Sequence, residues 1–292
     1  MSTWTKTWGS SYKIAMYGRD YGNSHPEDTR DNFLLNLQEA YCEFGGPICV
    51  MKGGFINDRI ADLSDSTLPI LDLDGDNFRP GIIADGVFLP AEHRAKAIGI
   101  CNADCPVACF QVYNNGSCNF AGLAMLHAGL NNLAPPQGPS ILETFGHWLQ
   151  ENHKHLRWMP YLSPGIQSCC YGCDQNTIER VLKYYRHYAG YLMCPEFMYQ
   201  PLSIEQVLLG RAKRGPRTGQ PSLHLSNMLF LAVKRLLGNK ILVVDHTDSA
   251  STCSACATNK SDQRLFWSNV YAQTDPDPQL RRARNLTVIG HW

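Results

Sequence analysis

The stretch from Ile100 to Asn131 constrains the chain most. It reads ICNADCPVACF, passes through Asn114-Asn115-Gly116, and returns as AGLAMLHAGLN. Asn-Gly between two apolar runs is the strongest short-range hairpin signal, because both central residues of the favoured turn need positive φ. Folding about Asn115-Gly116 pairs residues whose numbers total about 231, with a bulge or longer loop shifting that by a residue or two. Cys105 and His127 therefore meet at the open end of one hairpin. A thiol beside an imidazole is either a nucleophile with its base or a pair of metal ligands.

The rest of the chain supports a large core around this hairpin. It has 292 residues, 44% hydrophobic and 18% charged, which are ordinary values for a globular protein. With 26 basic and 26 acidic residues the net charge is zero. That argues against a nucleic-acid or acidic-membrane surface over the whole molecule. The basic run Arg211-Ala212-Lys213-Arg214 with Arg217 reads as a solvated loop. No apolar run is long enough for a transmembrane helix, and the first residues lack the apolar core of a signal peptide. A cytoplasmic protein with mostly reduced thiols is expected, acting on a small-molecule substrate.

Helices are expected from Pro26 to Phe44, closed by Gly45-Gly46, from Ser140 to His155, from Asn176 to Met193, and from a Ser222 cap to Leu237. Short buried strands are expected at Pro47 to Met51, Gly81 to Leu89, Ile241 to Val244 and Leu286 to Ile289. Asp85 sits inside an apolar run, which marks a bulge or a site. The acidic DLDGD at 72 to 76 reads as a solvated turn. The Pro-, Gly- and Arg-rich segment from 194 to 221 reads as a mobile loop. With no compelling linker, residues 1–292 form one domain.

Around the hairpin the chain resembles the YfiH-like family, also called laccase-domain or polyphenol-oxidase-like proteins. The residues are Ala103-Asp104-Cys105-Pro106-Val107, then His127-Ala128-Gly129. Collinear likenesses extend over nearly the whole chain: Glu27 to Asn32, Ala84-Asp85, Pro164 to Tyr171, Cys253-Ser254 and Arg284. The resemblance implies an α/β (α+β) layered sandwich, with two mixed sheets between helices. It implies phosphorolysis or deamination of purine nucleosides, and a zinc held by His, Cys and His, the last two being Cys105 and His127. Asn32, Asp85, Cys253 and Arg284 become candidate substrate-binding residues.

One departure stands out. The family's upstream Gln-x-His-Gly is Gly54-Phe55-Ile56-Asn57-Asp58 here, and no histidine lies between His25 and His93. The third zinc ligand is unidentified, with Asp58, Asp85 or His93 as substitutes, since a catalytic zinc wants three protein ligands. The alternative is metal-free, with Cys105 as nucleophile and His127 as base. Asp104 or Asn102 would then orient the imidazole, and the related fold of bacterial toxin deamidases with a Cys-His pair is an analogy for it. A further alternative is a non-catalytic binding protein. Separately, Cys170-Tyr-Gly-Cys173 and Cys253-Ser-Ala-Cys256 have metal-site spacing within each pair.

Overall fold

The structure, a computed structural model, describes residues 4–8, 12–19, 30–52, 57–64, 82–117, 119–152, 155–191, 203–238, 244–245, 247–274 and 284–291. The strands are β1 (Trp4–Trp8), β2 (Tyr12–Tyr17), β3 (Ile48–Lys52), β4 (Ala61–Asp62), β5 (Ile82–Ile83), β6 (Gly86–Pro90) and β7 (Ala97–Asn102). They continue with β8 (Val107–Asn114), β9 (Phe120–His127), β10 (Leu156–Leu162), β11 (Leu209–Arg211), β12 (Pro221–Leu223) and β13 (Asn285–His291). The helices are α1 (Arg30–Phe44), α2 (Leu130–Leu133), α3 (Ile141–Asn152), α4 (Gln175–Tyr185), α5 (Ile204–Leu208), α6 (Leu225–Leu237), α7 (Thr247–Ser251) and α8 (Asn269–Ala272).

Two mixed sheets carry the fold, in strand orders β1-β2-β13-β7-β3-β5 and β10-β8-β9-β6-β4. Alternation along β8 shows how they stack. Val107 and Cys109 face the other sheet, packing with Met125, Ile98, Ile100 and Ile289. Ala108, Phe110 and Val112 face outward, onto Phe145 of α3 and Leu229 and Val233 of α6. On the far side, Leu37, Ala40 and Phe44 of α1 cover Ala15, Val50 and Val288. The result is helix, sheet, sheet, helix, the α/β layering expected from the sequence. Strands covered on both faces read as continuous apolar runs rather than alternating ones.

Several expectations shift in detail. The Gly81 to Leu89 run is two strands. Ile82–Ile83 joins one sheet, Gly86–Pro90 joins the other, and Ala84-Asp85 is the crossover. The hairpin pairs Val107 with His127, three residues away from the expected register. Its turn is longer than Asn-Gly, with the Asn114 N–H bonded to the Asn119 carbonyl, and the pairing slips between Val112 and Tyr113. Helix α4 stops at Tyr185 and tightens into a 3-10 turn over Arg186–Tyr191.

The segment read as a mobile loop from 194 to 221 is ordered from residue 203 onward, as α5 and the β11–β12 ribbon. Ser203 and Gln206 form a reciprocal capping box that starts α5, a signal present in the sequence. Ser222 lies in β12, and His224 rather than Ser222 precedes α6. The acidic run at 72 to 76 and Ile241 to Val243 lie outside the described residues. Among the described residues no helix is long and apolar enough to cross a membrane.

The Phe145 ring is fully buried and touches Phe110, Trp148 and Trp158 at centroid distances of 5.2, 5.7 and 5.2 Å. Phe145→Ala opens a cavity there, and its expected cost is about 3–5 kcal/mol. Urea unfolding of the variant against wild type checks this through the midpoint at constant slope.

Candidate functional site

The hairpin's open end is built by three neighbouring segments. Asp85 reaches it from the crossover between the sheets, with its side chain completely buried. The Asp85 carbonyl accepts the His127 N–H at 2.7 Å, and its Oδ1 meets His127 Nδ1 at 2.8 Å. A carboxylate on Nδ1 fixes the ring's orientation and leaves Nε2 for another partner. Cys105 lies close enough for its sulfur to act on the imidazole. Burial opposes charge on His127, but the Cys105 sulfur and Asp85 outweigh it and raise its pKa to about 10. Cys105 itself is partly exposed, whereas His127 is buried.

Cys105 lies two residues beyond the last strand pair, on a loop held from several directions. Asn102 Nδ2 donates to the Cys105 carbonyl at 2.7 Å, and Asn102 Oδ1 accepts from Thr287 Oγ1 at 2.9 Å. The Ala128 N–H bonds the Pro106 carbonyl at 2.9 Å. Gly129 explains the glycine of the His-Ala-Gly motif. A Cβ there would stand 3.0 Å from both Cys105 Sγ and Asn132 Oδ1.

Asn132 is the residue that sequence reasoning missed. Its Nδ2 donates to Asn57 Oδ1 at 2.9 Å, and Asn57 Nδ2 in turn donates to the Asn131 carbonyl. This chain of donors leaves Asn132 Oδ1, like the Cys105 sulfur, beside Gly129, buried and with no hydrogen-bond partner among the described residues. A buried acceptor left unpaired is costly unless a ligand satisfies it. The only sequence hint was its place after His-Ala-Gly.

Asp104 does not orient the imidazole, and neither does Asn102; Asp85 does. Asp104 has φ +69°, a left-handed conformation that aspartate tolerates better than most residues. Its carboxylate turns away from His127 and accepts from Ser268 Oγ and the Val270 N–H at 2.9 Å each, and from Ser254 Oγ at 3.4 Å. Burial pushes its pKa up to about 6 against these donors.

Of the other candidates, Arg284 immediately precedes β13, where its charge acts on the Cys101 thiol. Asn32 lies within α1, and its side chain is outside the described residues. Cys253 belongs to a different cluster. Cys169, Cys170, Cys253 and Cys256 place their sulfurs within 4.8 Å of one another, a group that could hold a metal. Cys173, expected there, instead donates to the Tyr171 carbonyl at 3.5 Å. The neighbouring Cys170 thiol outweighs burial and holds the Cys253 pKa below its ordinary value.

A catalytic zinc does not fit the hairpin end. Cys105 and His127 are two donors, and among the described residues no third His, Cys, Asp or Glu joins them. Asp58 is exposed, the His93 ring accepts the Ala95 N–H at 3.1 Å, and Asp85 is engaged on the other ring nitrogen. An amide oxygen such as that of Asn132 is a poor zinc ligand.

No protein-family model matches the chain, and no curated protein matches it. Solved structures do. It is similar to the Neisseria meningitidis protein NMB0706, of family DUF152, at 15% identity and TM-score 0.61, over 99% of this chain and 98% of that one. It is similar to the hypothetical protein YfiH from Bacillus licheniformis at 17% identity and TM-score 0.60, over 96% and 92%. YlmD from Geobacillus stearothermophilus matches at 15% and TM-score 0.54, over 98% of each chain. The fold is therefore that of the YfiH-like proteins, as the motifs around Cys105 and His127 implied.

The two aspartates separate cleanly in solution. A folded pKa raised from 3.8 to about 6 means that Asp104 favours the native state in acid, and loses that contribution as pH rises through 6. Asp104→Asn keeps the shape and an acceptor oxygen. It is expected to flatten the stability profile over that window and leave alkylation of Cys105 unchanged. Asp85→Asn is expected to slow alkylation of Cys105 by about tenfold or more. Urea midpoints against pH and iodoacetamide labelling kinetics read the two effects.

Proposed function

We propose that the chain is a thiol enzyme in which Cys105 attacks, His127 moves the proton and Asp85 orients His127, acting on a carbon–nitrogen bond of a small molecule. The observation that carries this reading is the 2.8 Å contact between His127 Nδ1 and Asp85 Oδ1, with the Cys105 sulfur acting on the same imidazole. A carboxylate, an imidazole and a thiol in series form the arrangement that keeps a thiolate available near neutral pH.

The chemistry then runs in two halves. The Cys105 thiolate adds to the carbon of an amide or amidine, forming a C–S bond while the C=O or C=N electron pair moves to the heteroatom. As the tetrahedral adduct collapses the C–N bond breaks, and His127 gives its Nε2 proton to the departing nitrogen. Water, deprotonated by His127, next attacks the thioester left by an amide, or the thioimidate left by an amidine, and releases Cys105. Asn132 Oδ1 suits an N–H of the substrate, which would hold the scissile nitrogen in place.

A second reading is phosphorolysis or deamination of a purine nucleoside. It is supported by the likeness of the Cys105 and His127 motifs to the YfiH-like family, and by the fit of Asn132 Oδ1 to an exocyclic amino group.

A panel of small carboxamides and purine nucleosides, followed for ammonia, free amine and free base with chelator present, separates the two. Amide-derived ammonia or amine, abolished by Cys105→Ala and lowered on the order of 10²–10⁴-fold by Asp85→Asn, is the expected result. Phosphate-dependent release of free base, or turnover only after zinc is added, would sink the thiol mechanism.

A further inference from the structure

We propose that Cys169, Cys170, Cys253 and Cys256 bind a zinc ion as a closed four-thiolate site that clamps the chain behind the Cys105 loop. The two halves come from segments more than eighty residues apart. In the first, the N–H groups of Cys170 and Tyr171 both bond the Gln167 carbonyl, at 3.0 and 3.1 Å, turning Cys169 and Cys170 to one side. In the second, the N–H groups of Cys256 and Ala257 bond the Cys253 carbonyl at 3.3 and 2.9 Å, closing a Cys-x-x-Cys turn. The two turns face each other.

The spacing of the sulfurs decides the chemistry. A tetrahedral zinc with bonds of about 2.3 Å sets its four sulfurs roughly 3.8 Å apart. Here Cys169 Sγ lies 3.7 Å from Cys170 Sγ and 3.7 Å from Cys256 Sγ, and all four fall within 4.8 Å. A disulfide needs about 2.0 Å between sulfurs, so the cluster is spread to the size of an ion rather than drawn into bonded pairs. Four thiolates leave no open coordination position, which makes the site structural rather than catalytic. Soft thiolates select zinc over hard cations such as magnesium or calcium.

The surroundings suit an anionic metal–thiolate centre. The Gln167 N–H points at Cys253 Sγ at 3.5 Å, and the Tyr271 hydroxyl lies 3.9 Å from Cys170 Sγ. The Arg264 guanidinium covers the Tyr271 ring at 3.6 Å. Partners of this kind orient ligands and offset their charge.

The clamp also touches the candidate site from behind. Ser254, next to Cys253, donates its N–H to the Gly165 carbonyl at 3.1 Å and its hydroxyl to Asp104. The Ile166 N–H bonds the Asp104 carbonyl at 2.7 Å. Gly165 lies so close to the Cys105 loop that a Cβ there would be 2.6 Å from the Pro106 Cβ.

Metal analysis of the full chain, purified under reducing conditions, tests the proposal. Wild type and Cys105→Ala are expected to hold a single zinc per chain, and Cys169→Ser with Cys256→Ser to hold none. Chelation is expected to lower the unfolding midpoint, and added zinc to restore it. Should the double variant fail to fold, cobalt-loaded wild type and Cys105→Ala decide the matter. Matching spectra of tetrahedral cobalt with four thiolates support the site, whereas a spectrum with nitrogen donors that disappears in Cys105→Ala overturns it. Iron in place of zinc, or metal-free protein with these cysteines paired as disulfides, also overturns it.

Discussion

The contact between Asp85 and His127 organises the centre of the molecule. Asp85 occupies the point where the chain leaves one sheet and enters the other, so its carboxylate is sealed between layers. An ionised carboxylate in that position needs a partner, and removing one member of such a pair costs about 3–5 kcal/mol. His127 supplies two bonds, one from its ring and one from its backbone N–H. The crossover and the end of the hairpin are thereby held together, and the imidazole is aimed before any substrate arrives. Preorganisation of this sort lets a buried base act without rearrangement at the moment of reaction.

Asp104 provides the second fixed point, facing the opposite way. Its left-handed backbone turns the loop so that Cys105 projects toward His127, while its own carboxylate collects donors from Ser254, Ser268 and Val270. Two neighbouring residues thus serve different ends, one exposing a sulfur and the other anchoring three segments. The cysteine cluster continues that anchoring, joining the 165–173 and 253–257 turns directly behind the loop. Asn132 completes the front, with an oxygen that has no hydrogen-bond partner among the described residues.

Much of the framework was legible because it depends on local chemistry. The Asn-Gly turn announced the hairpin, Gly45 ended α1 in the left-handed conformation expected of a glycine cap, and apolar runs marked strands buried on both faces. The capping box at Ser203 and Gln206 carried the same kind of signal, but the Pro- and Arg-rich composition around it suggested a loop. The hairpin register was three residues off because turn length depends on how the strands twist and slip, which the Asn-Gly pair alone does not specify. Likewise the run from Gly81 to Leu89 gave no sign that it divides between two sheets, since both halves are apolar for the same reason.

By itself the sequence determined that Cys105 and His127 would stand at one end of one hairpin, because short turns and strand pairing act over a few residues. It also determined that no histidine is available just upstream to complete a catalytic zinc site. Only the tertiary structure decided that Asp85, 42 positions before His127, is the residue that orients it, and that Asp104 is an anchor. It likewise replaced Cys173 with Cys169 in the thiol cluster and revealed the unpaired oxygen of Asn132. Each of these rests on contacts between distant segments, set by how the two sheets cross and stack, and residue spacing along the chain does not record that packing.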